Sequence, residues 1–171
     1  AFIAAPLPAY ITDLGFDPGL GAWALALVGL FNVVGSYSSG VLGGRYSKKY
    51  LLSFLYFARA VLIALFVSIP PTPATVLVFA AIMGLLWLST VPLTSGLVAQ
   101  MFGPRYMGML FGIVFFSHQV GSFLGVWLGG YLFDATGSYD VVWWAGVALG
   151  VFAGLVHWPI RETQVVRLAP T

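Results

Sequence analysis

Val34-Gly35-Ser36-Tyr37, followed by Leu42-Gly43-Gly44, returns as Val120-Gly121-Ser122-Phe123, followed by Leu128-Gly129-Gly130. The shift from residue 35 to residue 121 is 86 residues, and it also carries Pro6-Leu7 onto Pro92-Leu93. That second match falls in a different apolar segment, so the repeat is more than one glycine-rich stretch seen twice. Three apolar segments fit within the shift. An odd number of membrane crossings inverts the second copy, which explains why one Leu-Gly-Gly runs into Arg45 and the other toward Asp134. Repeats related in this way build substrate sites near the bilayer midplane in secondary transporters.

The solvent implied by the composition is lipid. Of 171 residues, 60% are hydrophobic and 7% charged, against roughly a quarter charged in soluble domains. A span takes roughly 20 apolar residues. The chain divides into five full segments of this kind, about Leu20–Leu42, Leu51–Ile69, Ala74–Ala99, Met107–Phe133 and Val141–Trp158, plus a partial one over Ala1–Thr12. Each is apolar all round, as in helices immersed in lipid or in one another, and none alternates as a barrel strand would. The fold class expected is therefore an all-α membrane protein of six transmembrane helices in two inverted three-helix repeats. Residues 1–158 form the transmembrane part, with repeat one over about 1–69, repeat two over about 74–158 and a tail over 159–171. By the same 86-residue shift the first helix begins before Ala1, so the first helix is expected to be truncated and an N-terminal six-helix half to be missing.

The charges sort by joint. Arg45, Lys48 and Lys49 share one loop, Arg105 lies in another, and Arg161 and Arg167 are in the tail. Asp13, Asp17, Asp134 and Asp140 occupy the intervening loops, and Pro70-Pro-Thr-Pro73 carries no charge. The positive-inside rule puts the basic joints and the C-terminus in the cytoplasm. The net charge of +2 thus reports topology, and nucleic acid is not expected as a partner. Zero cysteines exclude disulfides and thiolate metal sites. No charged stretch precedes the first apolar run, so no cleavable signal peptide is read.

The loop Gly40-Val-Leu42-Gly-Gly44-Arg45-Tyr-Ser47-Lys48-Lys49 resembles the loop motif of the major facilitator superfamily, Gly-x-Leu-x-Asp-Arg-x-Gly-Arg/Lys-Arg/Lys. It departs from it at Gly44, where Asp is usual, and at Ser47, where Gly is usual. The run from His118 to Tyr139 resembles the eleventh helix of bacterial major facilitators, closest to the monocarboxylate and oxalate/formate porter-like group. The resemblance implies helices seven to twelve of a transporter in the bacterial inner membrane. It further implies alternating-access movement of a small organic anion such as a monocarboxylate, often with protons, at an interface with the other half.

Polar and aromatic residues inside the spans are the candidates for the site. Arg59 is the one charge within a span, about 15 Å from the basic loop by helix rise. An intramembrane Arg is costly enough to imply a function, and its guanidinium could grip a carboxylate. It could equally snorkel or tie helix ends together, and the peripheral place of the third helix of each triplet in the family favours that structural reading. His118, with Gln119 beside it, falls opposite Asn32 under the repeat, so the pair are candidates to line a midplane site; His118 is also a candidate proton carrier. A histidine simply satisfied by a neighbouring helix is the alternative. Trp87 could wall a pocket or pack in the core, and Tyr10 in the first segment completes the substrate-binding set. Gly40, Arg45, Lys48 and Lys49 form the cytoplasmic loop motif.

Pro92 frees the Leu88 carbonyl, and Ser89 and Thr90 are near enough to help satisfy it. Stripes at Gly121/Gly125/Gly129, Gly146/Gly150/Gly154 and Ser36/Gly40/Gly44 suit close helix approach or faces along which helices rock. Trp143, Trp144, Tyr139 and Trp158 read as interfacial anchors, with His157 beside them. No phosphate loop, zinc pattern or nucleophile elbow is present, so no catalytic residue, metal or cofactor is expected and the chain is not read as an enzyme. Efflux of drugs or other solutes, and a non-transporting membrane assembly subunit, remain the alternative functions.

Overall fold

The computed structural model describes residues 7–165; Pro6 of the repeat and Arg167 of the tail lie outside them. Every regular element among the described residues is helical: α1 (Leu7–Asp13), α2 (Pro18–Gly43), α3 (Lys48–Ser68), α4 (Pro73–Trp87), α5 (Thr90–Phe102), a 3-10 turn (Pro104–Tyr106), α6 (Met107–Thr136) and α7 (Asp140–His157). Five stretches are long and apolar enough to cross a membrane: Pro18–Gly43, Lys48–Ser68, Pro73–Phe102, Pro104–Thr136 and Asp140–His157. These match the five full segments expected, and α1 covers part of the sixth.

Local chemistry sets the ends. Asp17 accepts the Gly19 amide at 2.6 Å and Pro18 opens α2, a start that uses a proline where its missing N–H costs nothing. Thr72 and Thr75 cap α4 reciprocally ahead of Pro73. Gly137 stops α6 in a left-handed conformation, φ 67°, its amide bonded to the Phe133 carbonyl at 2.7 Å.

Packing rests on small residues. A methyl group at Gly35 of α2 would overlap the Leu85 carbonyl of α4, and one at Gly84 of α4 would come within 2.8 Å of Val28 Cα. The two glycines are mutual notches that bring α2 and α4 into backbone contact, where dispersion and polar backbone contacts hold helices together in lipid. The α3–α7 pair does the same, with Gly150 against Ala60 and Gly154 against the Phe57 ring. The buried seam of α2 runs through Gly21, Ala24, Val28, Gly35, Ser39 and Gly43. The expected stripe Ser36/Gly40/Gly44 is therefore displaced by one residue: Gly40 and Gly44 are exposed. Gly and Ser recur so densely over residues 35–44 that two adjacent stripes look alike in sequence.

Two apolar clusters form the interior. One joins Leu7, Ile11, Ile63, Phe66, Phe79 and Trp143, with Phe66 and Phe79 stacked at 4.0 Å between centroids. The other holds Leu52, Leu55, Leu86, Leu93 and Leu97. By contrast, α6 has no buried residue. Tyr37 (76% exposed) on α2 and Phe116 (69%) on α6 face outward, as suits lipid or a further protein surface.

Candidate functional site

The span expected as one kinked helix is two helices. α4 ends at Trp87, α5 begins at Thr90, and the break between them is held from both sides. From α2, Asn32 Oδ1 accepts the Leu88 amide at 3.2 Å. From α3, Arg59 Nε donates to the Leu86 carbonyl at 3.2 Å, and Nη2 donates to the carbonyls of Leu86 and Trp87. The groups that a broken helix leaves orphaned in lipid are thus paired by residues from its neighbours.

Two sequence expectations change at this point. Ser89 and Thr90 do not take the Leu88 carbonyl; Ser89 Oγ bonds that of Leu85 at 2.5 Å and Thr90 Oγ1 that of Trp87 at 3.2 Å. The Leu88 carbonyl accepts instead from the Val91 amide at 3.0 Å, a tighter turn that Pro92 permits because the amide it would have used does not exist. Arg59 does not snorkel toward the basic loop. It ties α3 to the break, in keeping with the structural reading, and its guanidinium lies 5.1 Å from the Tyr56 ring centroid.

Arg59 also borders a cavity of about 420 Å³ between α3, α4, α6 and α7. Trp87 and His118 line it too, so the three candidates come from separate helices to one space. Tyr56 and Ile63 add to the α3 wall, Met83 to α4, Ser122 to α6, and Leu149 and Phe152 to α7. Gly121, Gly125, Gly146 and Gly150 keep the opposite walls thin. Arg59 Nη1 has no acceptor among the described residues, which leaves one arm of the guanidinium for a guest. The rest of the lining is mainly apolar, with Tyr56, His118 and Ser122 as its polar side chains, so the space suits a small amphipathic solute with one anionic group.

The other candidates sit elsewhere. Asn32 faces the helix break, away from the His118 cavity. Gln119 is exposed, with no hydrogen bond among the described residues. Tyr10 belongs to an aromatic cluster, its ring 5.4 Å from Trp143 and 5.7 Å from Tyr139. Burial, and then the charge of Asp13, push the Tyr139 hydroxyl up from its usual range. In the loop motif, Lys48 Nζ bonds Gln100 at 2.8 Å and Lys49 Nζ bonds the Trp158 carbonyl at 3.2 Å, while Arg45 and Gly40 are exposed. The cavity is open along one side, where His118, Leu149 and Phe152 are exposed. Tyr56 and Ser122 were not singled out by sequence as lining residues, although Tyr56 lies one helical turn before Arg59 and so shares its face. No group of His, Asp and Glu among the described residues could hold a metal ion.

The family model of the Major Facilitator Superfamily matches residues 1–171. The chain is similar to the "Uncharacterized MFS-type transporter YcxA" of Bacillus subtilis, 32% identical over 151 residues, covering 85% of this chain and 35% of that protein. It is similar to "Monocarboxylate transporter 13" of Rattus norvegicus, 30% identical over 135 residues, covering 78% and 31%. It is also similar to "Multidrug export protein EmrB" of Haemophilus influenzae, 24% identical over 166 residues, covering 94% and 32%. The chain spans about a third of the length of these relatives. No solved structure matches it.

Proposed function

The chain belongs to the Major Facilitator Superfamily, and from that premise we propose that it is one six-helix half of a secondary transporter for small organic anions. In this reading the half is built of two inverted three-helix repeats, residues to about 69 and from about 74, and works against a second half by alternating access. The membrane is a bacterial inner membrane, with the basic loops and the C-terminus in the cytoplasm.

The observation that carries the proposal is the convergence of Arg59, His118 and Trp87 on one apolar cavity. A carboxylate would take the free arm of Arg59, and a short hydrocarbon or aromatic tail would lie against Trp87, Met83 and Phe152. In this reading His118, on the facing helix, is the candidate carrier of a coupling proton. The likeness to a protein named a monocarboxylate transporter supports the choice of cargo.

Uptake by the full-length protein in proteoliposomes, across monocarboxylates, dicarboxylates and neutral solutes, tests this. Accumulation of a monocarboxylate driven by a pH gradient, and lowered by His118→Ala, is expected. Uptake indifferent to His118→Ala and to Ser122→Leu would remove the cavity from the transport route. A second reading, export of larger apolar solutes, draws on the aromatic and aliphatic lining and on the likeness to a multidrug exporter; preference for neutral apolar compounds in the same panel would select it.

A further inference from the structure

The segment after α7 folds back across the basic end of the bundle. Ile160 packs against the cluster of Leu52, Leu93 and Leu97. Glu162, the chain's single glutamate, is half-buried between exposed Arg161 and Thr163. Its Oε1 accepts the Lys49 amide at 2.6 Å, in the first turn of α3. That helix needs the acceptor, because its own N-cap residue, Ser47, makes no side-chain capping bond. The Glu162 carbonyl accepts from Gln100 Nε2 at 3.0 Å, and the Val165 amide donates to the Met101 carbonyl at 2.9 Å. Gln100 Oε1 in turn accepts from Lys48 Nζ at 2.8 Å, so the far end of α5 is tied both to the tail and to α3.

The hydrogen bonds among these ties meet α5 only in its last turn, at Gln100 and Met101. At its other end lies the break at Leu88–Ser89, where the helical ladder is interrupted. A rod with an interrupted ladder at one end and a polar network at the other is an arm with a joint and a catch. We propose that residues 158–165 are a latch that holds the α5 arm against α3 at the basic end, with Glu162 as its positioning residue. Opening the latch frees α5 to swing about the break, so the tail sets how often that end of the bundle opens. The side-chain hydrogen bonds involved are few and half-buried, and each contributes only modestly to stability. Such a catch releases readily, unlike the glycine seam between α2 and α4.

The test uses the full-length protein with native cysteines replaced and Leu97→Cys introduced beneath the latch, labelled with a membrane-impermeant maleimide from the basic side. Labelling is expected to be slow, and about tenfold faster in Glu162→Ala, as loss of a cap and of a local closing contact implies. Glu162→Gln keeps an acceptor oxygen and is expected to stay near the parent rate. Gln100→Ala releases α5 while leaving the α3 cap intact, and is expected to label faster as well. Amide exchange at residues 89–91 should rise in step, which a purely local capping role would not cause. Unchanged labelling in both Glu162→Ala and Gln100→Ala would overturn the latch. Faster labelling with unchanged exchange at the break would overturn its coupling to the joint.

Discussion

Gly35 and Gly121 are the same position in the two copies of the repeat, yet their surroundings are opposite. Around Gly35 the backbone of α4 leaves no room for a methyl group; around Gly121 nothing lies within 4 Å. The first closes a seam, and the second borders the open cavity beside His118. A small residue at helical spacing therefore marks a face that admits close approach, without saying whether protein backbone or a solute makes that approach.

Substituting each position would break or sharpen this contrast. The largest effect is expected for Gly35→Leu, which forces α2 off α4. Overpacking against backbone should cost about 3 kcal/mol, the upper part of the usual range, seen as lost yield and a lowered unfolding temperature in detergent. Gly121→Leu is expected to leave thermal stability nearly unchanged while reducing uptake, because it fills the cavity. Equal stability loss in the two variants would erase the distinction.

Arg59→Met comes next. It leaves the Leu86 and Trp87 carbonyls short of donors, and unpaired buried groups cost about 1–3 kcal/mol each. Thr90 Oγ1 still serves Trp87, so a total of about 2 kcal/mol is expected, together with lost anion uptake. Arg59→Lys should recover much of the stability and little of the uptake, since an ammonium cannot hold two carbonyls and a carboxylate in one plane. Asn32→Ala is expected to be the mildest, about 1 kcal/mol for the single Leu88 amide. It should leave substrate preference unchanged, because Asn32 stands outside the cavity; an altered preference would bring it back to the binding site.

The elements were legible because their signals are local. Asp17-Pro18, Thr72-Pro73 and Gly103-Pro104 announce helix ends within a few residues, and the sorted charges mark the joints. Arg59 and His118 stood out because charged and titratable groups are rare in a span, and Trp87 because it lies mid-span in the helix that Pro92 disturbs; all three reach the cavity. The pairing of Asn32 with His118 did not become a shared site: equivalence under a repeat fixes depth and helix face, and here one face meets α4 and the other meets open space. The division of α4 from α5 was only partly legible. Pro92 signals a disturbance, but the partners that stabilise the break come from α2 and α3, 56 and 27 residues away. The tail was read from sequence as a basic segment but its docking was not, since hydrogen bonds such as Lys49 to Glu162 and Val165 to Met101 leave no periodic trace.

The clamp on the helix break also bears on the order of biosynthesis. Arg59 emerges from the ribosome before the carbonyls that accept from it, which follow 27 and 28 residues later. On its own, α3 would enter lipid with an unpaired guanidinium, at a cost of about 2.5–3.5 kcal/mol at mid-span. The short uncharged joint at Pro70-Pro-Thr-Pro73 lets α4 follow at once. We predict that α3 and α4 partition from the translocon as a hairpin. In a glycosylation-reporter assay, α3 should insert less efficiently alone than with residues 73–90 appended, and Arg59→Leu should abolish the difference.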